Sequence, residues 1–121
     1  MLINISNNHS SSWQTNQLEM AINKYESIVD FDFPSIDPTF SEDEINEIAE
    51  DYYIKIIPYF SNADRFNSVH IMAEPTFTFC LVSKLLKKGI EVIASTTKGE
   101  IKNIKEEVEI EFVKFRKYTN F

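Results

Sequence analysis

Hydroxyl and amide side chains gather in three short stretches of this sequence: Ser6-Asn7-Asn8-His9-Ser10-Ser11-Ser12, Glu74-Pro75-Thr76 and Ser95-Thr96-Thr97-Lys98. Ser and Thr hydroxyls donate to phosphate oxygens without adding charge. Helix starts add free N–H groups and partial positive charge. These residue types suit a phosphate or another small polar anion. The same residues also cap helices and form turns, so each taken singly has a structural explanation. Convergence of all three stretches is harder to explain by capping alone.

His9 lies in the first stretch and could act as a general base or donate to a phosphate, or be an exposed loop residue. Glu74, just before Pro75, could cap a helix, contact a ligand or exchange a proton. His70 falls inside an apolar run and reads as packed or hydrogen-bonded there. The two histidines lack metal-ligand spacing, and no Cys or acidic partner completes a zinc set, so no metal site is expected. Trp13 packs the first helix or stacks on a base. Cys80 reads as a small core residue. With two glycines in the chain, neither a dinucleotide fingerprint nor a phosphate-binding P-loop can be built, and no cofactor is expected.

The elements that must position these residues emerge from hydrophobic periodicity. Leu2-Ile3-Asn4-Ile5 reads as a buried strand. A helix comes next over about Trp13 to Tyr25, its stripe made by Leu18, Ala21, Ile22 and Tyr25, with Ser12 or Thr15 as cap. Ile28 to Phe33 is a second strand, and Pro34 and Pro38 stiffen the connection after it. Ser41-Glu42-Asp43-Glu44 is a capping box. The helix it opens buries Ile45, Ile48, Ala49, Tyr52, Tyr53 and Ile56 and carries a solvated acidic face. Ser68 to Met72 is a third strand. Pro75 opens a third helix that runs to about Lys88, with Gly89 after its end. That helix is apolar nearly all round, which implies burial by the domain or by a second subunit. Glu91 to Ala94 is a fourth strand ending in the loop Ser95-Thr96-Thr97. Val108, Ile110 and Phe112, with Tyr118 a possible continuation, alternate as in a hairpin or edge strand with one wet face.

The order β-α-β-α-β-α-β-β requires parallel strands with right-handed crossovers. The fold class is thus α/β: one Rossmann-like three-layer sandwich over residues 1-121, mostly parallel, with an antiparallel C-terminal edge strand or hairpin. If the first strand sits between the second and third, the first two polar stretches flank the switch point where such sheets bind ligands. The net charge of -7 disfavours duplex nucleic acid, and no dense basic patch offsets it. A single cysteine allows no internal disulfide, and no leader or membrane-length segment is read, so a cytoplasmic protein is expected.

The stretches 2–13, 70–79 and 94–97, with Phe112-Val113-Lys114-Phe115-Arg116-Lys117-Tyr118, resemble small CRISPR-associated proteins. These are the stand-alone Rossmann-like (CARF-like) proteins of type III CRISPR systems, which include sensors and ring nucleases. The resemblance implies a homodimer in antiviral defence that binds a cyclic oligoadenylate across its two-fold axis. It also implies possible cleavage of that ring without metal, by in-line attack of a ribose 2′-hydroxyl. Carried onto this chain, Ser6, Asn7, Asn8, Ser10 and Ser11 would bind phosphate or ribose beside Thr76, with Ser95, Thr96 and Thr97 on the other wall. His9 or Glu74 would assist proton transfer, and Lys98 would steady developing charge. Two departures from the family pattern stand out. Asn8 and His9 occupy positions of a family His and Pro, and Lys98-Gly99 stands where an Arg is expected. If either missing residue is catalytic, the protein binds without cutting. A non-catalytic ligand-binding or protein-interaction module, or a small enzyme acting on a phosphorylated metabolite, are the alternatives on the same fold.

Overall fold

The apolar runs lie side by side in the structure, a computed structural model that describes residues 1–60, 66–101 and 108–120. Strands β1 (Leu2–Ser6), β2 (Ile28–Asp30), β3 (Ser68–Met72), β4 (Glu91–Ile101) and β5 (Val108–Lys117) form one sheet in the order β2-β1-β3-β4-β5. The first four are parallel, and β5 runs antiparallel to β4. Helices α1 (Thr15–Tyr25), α2 (Glu42–Ile56) and α3 (Pro75–Lys87) complete the α/β sandwich expected from the element order. Ile3, Ile5, Val69, Ile71 and Val92 face α2 and α3 in the larger core. Leu2, Ile93, Trp13, Ala21 and Tyr25 form a smaller core under α1. Among the described residues, no helix is long and apolar enough to cross a membrane.

Local chemistry explains the helix ends. The Ser41 hydroxyl accepts from the Glu44 N–H, and the Glu44 carboxylate accepts from the Ser41 N–H, closing the capping box. Ser41→Ala should therefore lower stability by about 1 kcal/mol in urea unfolding, with the m-value unchanged. Pro75 occupies the first position of α3, and Gly89 lies just past its end at φ +81°, where a side chain would be strained.

Four features differ from the sequence reading. The second strand stops at Asp30, three residues early. The Phe31 N–H still reaches the Asn4 carbonyl, and the chain then turns off toward Pro34, which can offer no N–H to a ladder. Helix α1 starts at Thr15, after a 3₁₀ turn over Ser10–Ser12, and neither Ser12 nor Thr15 caps it. Its N-cap is Gln14, whose side chain is spent elsewhere. It donates to the Ile110 carbonyl (2.6 Å) and accepts from the Phe112 N–H (2.8 Å), covering the outer edge of β5. Ile22, expected in the apolar stripe, is 44 % exposed, and Gln17 takes the inward position with Ala21 and Tyr25.

The fourth difference bears on function. Ser95-Thr96-Thr97 is not a loop, because β4 continues through it to Ile101. β-Branched Thr residues suit an extended chain, and β5 supplies the pairing. A bulge between Thr96 and Thr97 leaves Val113 as the extra residue of β5, pointing outward. That one-residue slip brings Phe112 and Phe115 to the same face, with ring centroids 5.0 Å apart.

Candidate functional site

β1 lies between β2 and β3, so strand order reverses at its carboxyl end. Open α/β sheets place their ligand crevice there. The alternation of strand residues brings Asn4 and Ser6 of β1, His70 of β3 and Ser95 of β4 to the face covered by α1. Asp30, Asn4 and His70 are register partners across three strands. The result is a row of polar side chains across four strands, under Trp13 and Phe115.

The row is hydrogen-bonded from end to end. The Asn4 amide nitrogen donates to Asp30 Oδ1 (2.8 Å) and to the Asn8 carbonyl (3.0 Å). With the nitrogen so committed, Asn4 Oδ1 faces His70 Nδ1 at 2.9 Å and accepts its proton. His70 Nε2 is then the acceptor, and the Ser95 hydroxyl donates to it at 2.7 Å. The Gln17 amide donates to Ser95 Oγ at 3.2 Å. The Ser6 hydroxyl fills the second lone pair of Asn4 Oδ1 (2.9 Å), and Trp13 Nε1 donates to the Asn8 carbonyl (2.9 Å). Asn4 and His70 are 1 % and 2 % exposed, so water does not substitute for these partners. The Trp13 and Phe115 rings stand edge-on to the imidazole at 5.3 and 5.8 Å. Burial pushes the His70 pKa down to about 4, so the ring is neutral at physiological pH.

The β2 end of the row is a seat for negative charge, and the protein's own Asp30 carboxylate fills it. The Ser10 N–H (2.9 Å) and hydroxyl (2.6 Å) donate to it beside Asn4, and His9 Nε2 lies 3.3 Å away. Burial pushes this carboxyl up. The bonds from the Ser10 hydroxyl, the Asn4 amide and the Ser10 N–H, with the nearby His9, outweigh burial and hold it below the usual carboxylate range.

The sequence-predicted residues are therefore dispersed among several tasks. Ser6, Asn8, His9, Ser10 and Ser11 share the β1 loop, where His9 Nδ1 accepts from the Ser11 N–H. Glu74 caps α3. Its carboxylate accepts from the Thr76 hydroxyl, the Thr76 N–H and the Phe77 N–H, which hold its pKa down in that order. Thr96 Oγ1 donates to the Lys114 carbonyl and accepts the Lys114 N–H at the bulge. Thr97 is exposed beyond it. Lys98 lies further out on the hairpin, 3.5 Å from Glu111. His9, Glu74 and Lys98 are thus each engaged with a different partner. Asn7 lines an open groove of about 1020 Å³ with Met72 at the end of β3, Ala73 of the β3–α3 connection, Pro75 and Phe79 of α3, and Tyr118 to Asn120. This volume is at the upper end of small-molecule sites.

Asn4, Asp30, Gln17 and His70 were not selected from the sequence as site residues. A signal existed: Leu-Ile-Asn-Ile-Ser and Ser-Val-His-Ile-Met each put polar groups on one face of an otherwise apolar strand.

Fold and rim together define a Rossmann-like α/β protein with a polar row at its strand-order reversal. The chain belongs to the family described as the Uncharacterized protein MJ1673 family, which it matches over residues 1–121. No curated protein and no solved structure matches it.

Proposed function

We propose that the protein binds a cyclic oligoadenylate at the carboxyl rim of its sheet, as a homodimer in CRISPR defence, and cleaves the ring without metal. The observation that carries this reading is the groove beside the strand-order reversal, reached from both the β1 loop and the β3–α3 connection. It supports a ligand larger than a single phosphate. The resemblance of the polar stretches to the CARF-like proteins supports the nucleotide class. With Asp30 occupying the β2 side, phosphates are best placed against Asn7 and the β3–β4 side of the rim. A 2′-hydroxyl held in line with its neighbouring phosphorus needs orientation and charge stabilisation from the protein, and no ion is required to supply a nucleophile.

The test is incubation with cyclic tetra-adenylate in chelator. The expected products are linear fragments ending in 2′,3′-cyclic phosphate. Tight binding without products would leave a sensor. Absence of both would overturn the reading in favour of a smaller phosphorylated metabolite. Asn7→Ala removes an exposed groove amide that the fold does not use. It should weaken binding about tenfold, the worth of one hydrogen bond, at unchanged Tm. Ser95→Ala with Thr96→Ala is a poorer probe, because Ser95 belongs to the buried row and Thr96 secures the bulge.

A further inference from the structure

The row Asp30–Asn4–His70–Ser95 has the connectivity of a nucleophile, a base and an orienting group, extended by a carboxylate. We propose that Ser95 is an activated nucleophile, its hydroxyl proton taken by His70 Nε2, and that the rim beside Met72 hydrolyses small carboxylic esters. This activity is separate from nucleotide binding and does not rest on that reading.

Three observations carry it. First, the direction of proton flow is fixed. Asn4 Oδ1 can only accept, so His70 carries its proton on Nδ1 and presents a bare Nε2 to the Ser95 hydroxyl at 2.7 Å. Second, charge stands at the far end. The Asp30 carboxylate bonds the Asn4 amide at 2.8 Å, so the amide dipole points its oxygen at the imidazole and favours the imidazolium formed during attack. Third, the Ser95 N–H lies past the last β3–β4 register pair, His70–Ile93, and donates to the Met72 thioether sulfur at 3.3 Å. A thioether is a weak acceptor, readily exchanged for a developing oxyanion. Met72 is itself exposed and lines the groove, so a carbonyl that displaces its sulfur from there meets the Ser95 N–H, on the same residue as Oγ. Gln17 donates to Ser95 Oγ and steers the hydroxyl proton toward His70.

In the first half-reaction Ser95 Oγ bonds the carbonyl carbon while its proton moves to His70 Nε2. The oxyanion rests on the Ser95 N–H. The bond to the leaving alcohol then breaks, and that oxygen takes the proton from Nε2. In the second half-reaction water attacks the acyl-serine and gives its proton to Nε2. The bond to Oγ breaks, Oγ recovers the proton, and the carboxylic acid leaves. Ser95 and His70 are the catalytic residues. Asn4 and Asp30 are positioning residues that act through the imidazole.

The experiment is labelling of the full chain with a fluorophosphonate probe and peptide mapping. Oγ–P forms, P–F breaks and the proton leaves through His70. The expected result is a single adduct on Ser95, absent from Ser95→Ala. Asp30→Asn, compared at matched folded fraction, should slow labelling of Ser95, and a purely structural Asp30 would leave that rate unchanged. His70→Gln should slow labelling about 100-fold, the contribution of a general base. Should His70→Gln fail to fold, Ser95→Cys keeps the question open to measurement. The new thiol beside Nε2 should be alkylated by iodoacetamide faster than native Cys80 in the same molecule. A folded protein that takes no adduct at Ser95, or a Cys at 95 no more reactive than Cys80, overturns the proposal.

Discussion

Acidification from pH 6.5 to pH 4 should cost the fold about 3 kcal/mol through His70 alone. Burial lowers the folded-state pKa of this imidazole to about 4, whereas in the unfolded chain it titrates at its ordinary 6.5. Above the unfolded value neither state holds the proton, and the stability is fully present. Between the two values the unfolded chain takes up a proton that the folded ring refuses, so stability falls with pH. Below the folded value both states are protonated and the loss levels off. Asp30 acts in a separate, more acidic window. Its folded pKa is depressed, so its contribution is present above the ordinary carboxylate range and lost as pH falls through the folded value. Urea unfolding at a series of pH values measures the slope. His70→Gln keeps a hydrogen-bonding side chain without a titrating one, and should flatten the curve above about pH 5, where carboxylates contribute little. Parallel curves for the two proteins would show that His70 carries no such linkage.

A buried polar row is costly unless every member is satisfied. Here the count closes: Asn4 Oδ1 receives two donors, the Asn8 carbonyl receives Asn4 and Trp13, and Asp30 receives Ser10 and Asn4. Such closure ties four strands and the start of α1 to one register, since a slip of one residue would turn the whole row to the opposite face. The same closure orients Ser95. The organisation of the rim and the specification of the sheet thus rest on the same bonds.

Most of the architecture was legible in the sequence. Leu2 to Ile5, Ser68 to Met72 and Glu91 to Ala94 are apolar runs bounded by turn residues. Ser41-Glu44 and Pro75-Gly89 mark helix ends through local chemistry. The features that escaped depended on non-local pairing. Ser95-Thr97 has loop composition, and only the partner strand β5 makes it extended. Gln14 and Gln17 are ordinary helix-surface residues until β5 and Ser95 arrive beside them. Much of the candidate anion seat was legible as residue types, but not its occupant. Asp30 comes from a different strand, and no spacing in the sequence connects it with Ser10. Capping, weighed against ligand contact for Glu74, accounts for its hydrogen bonds to Thr76 and Phe77.

Asn4→Leu should be among the most damaging single changes in the chain, at about 3–5 kcal/mol. Leu keeps the Cγ branching of Asn but is bulkier, so overpacking of about 1–3 kcal/mol adds to the loss at this buried position. Apolar replacement of a buried polar group is nearly neutral when both partners are removed together. Here only one is removed. His70 Nδ1–H loses its acceptor outright, the Ser6 hydroxyl is left with the Asn8 carbonyl, and Asp30 Oδ1 and the Asn8 carbonyl each lose one of their donors, at sites largely closed to water. Each orphaned buried group costs about 1–3 kcal/mol. The mechanism has a second signature. With Asn4 gone, Asp30 has lost one of its principal partners, so Asp30→Asn should cost less in the Asn4→Leu background than in the native chain. Equilibrium unfolding of the two single variants and the double variant measures that coupling. A loss under about 1 kcal/mol for Asn4→Leu, or strict additivity with Asp30→Asn, would mean that the row is a set of independent contacts without the cooperative bonding its geometry implies.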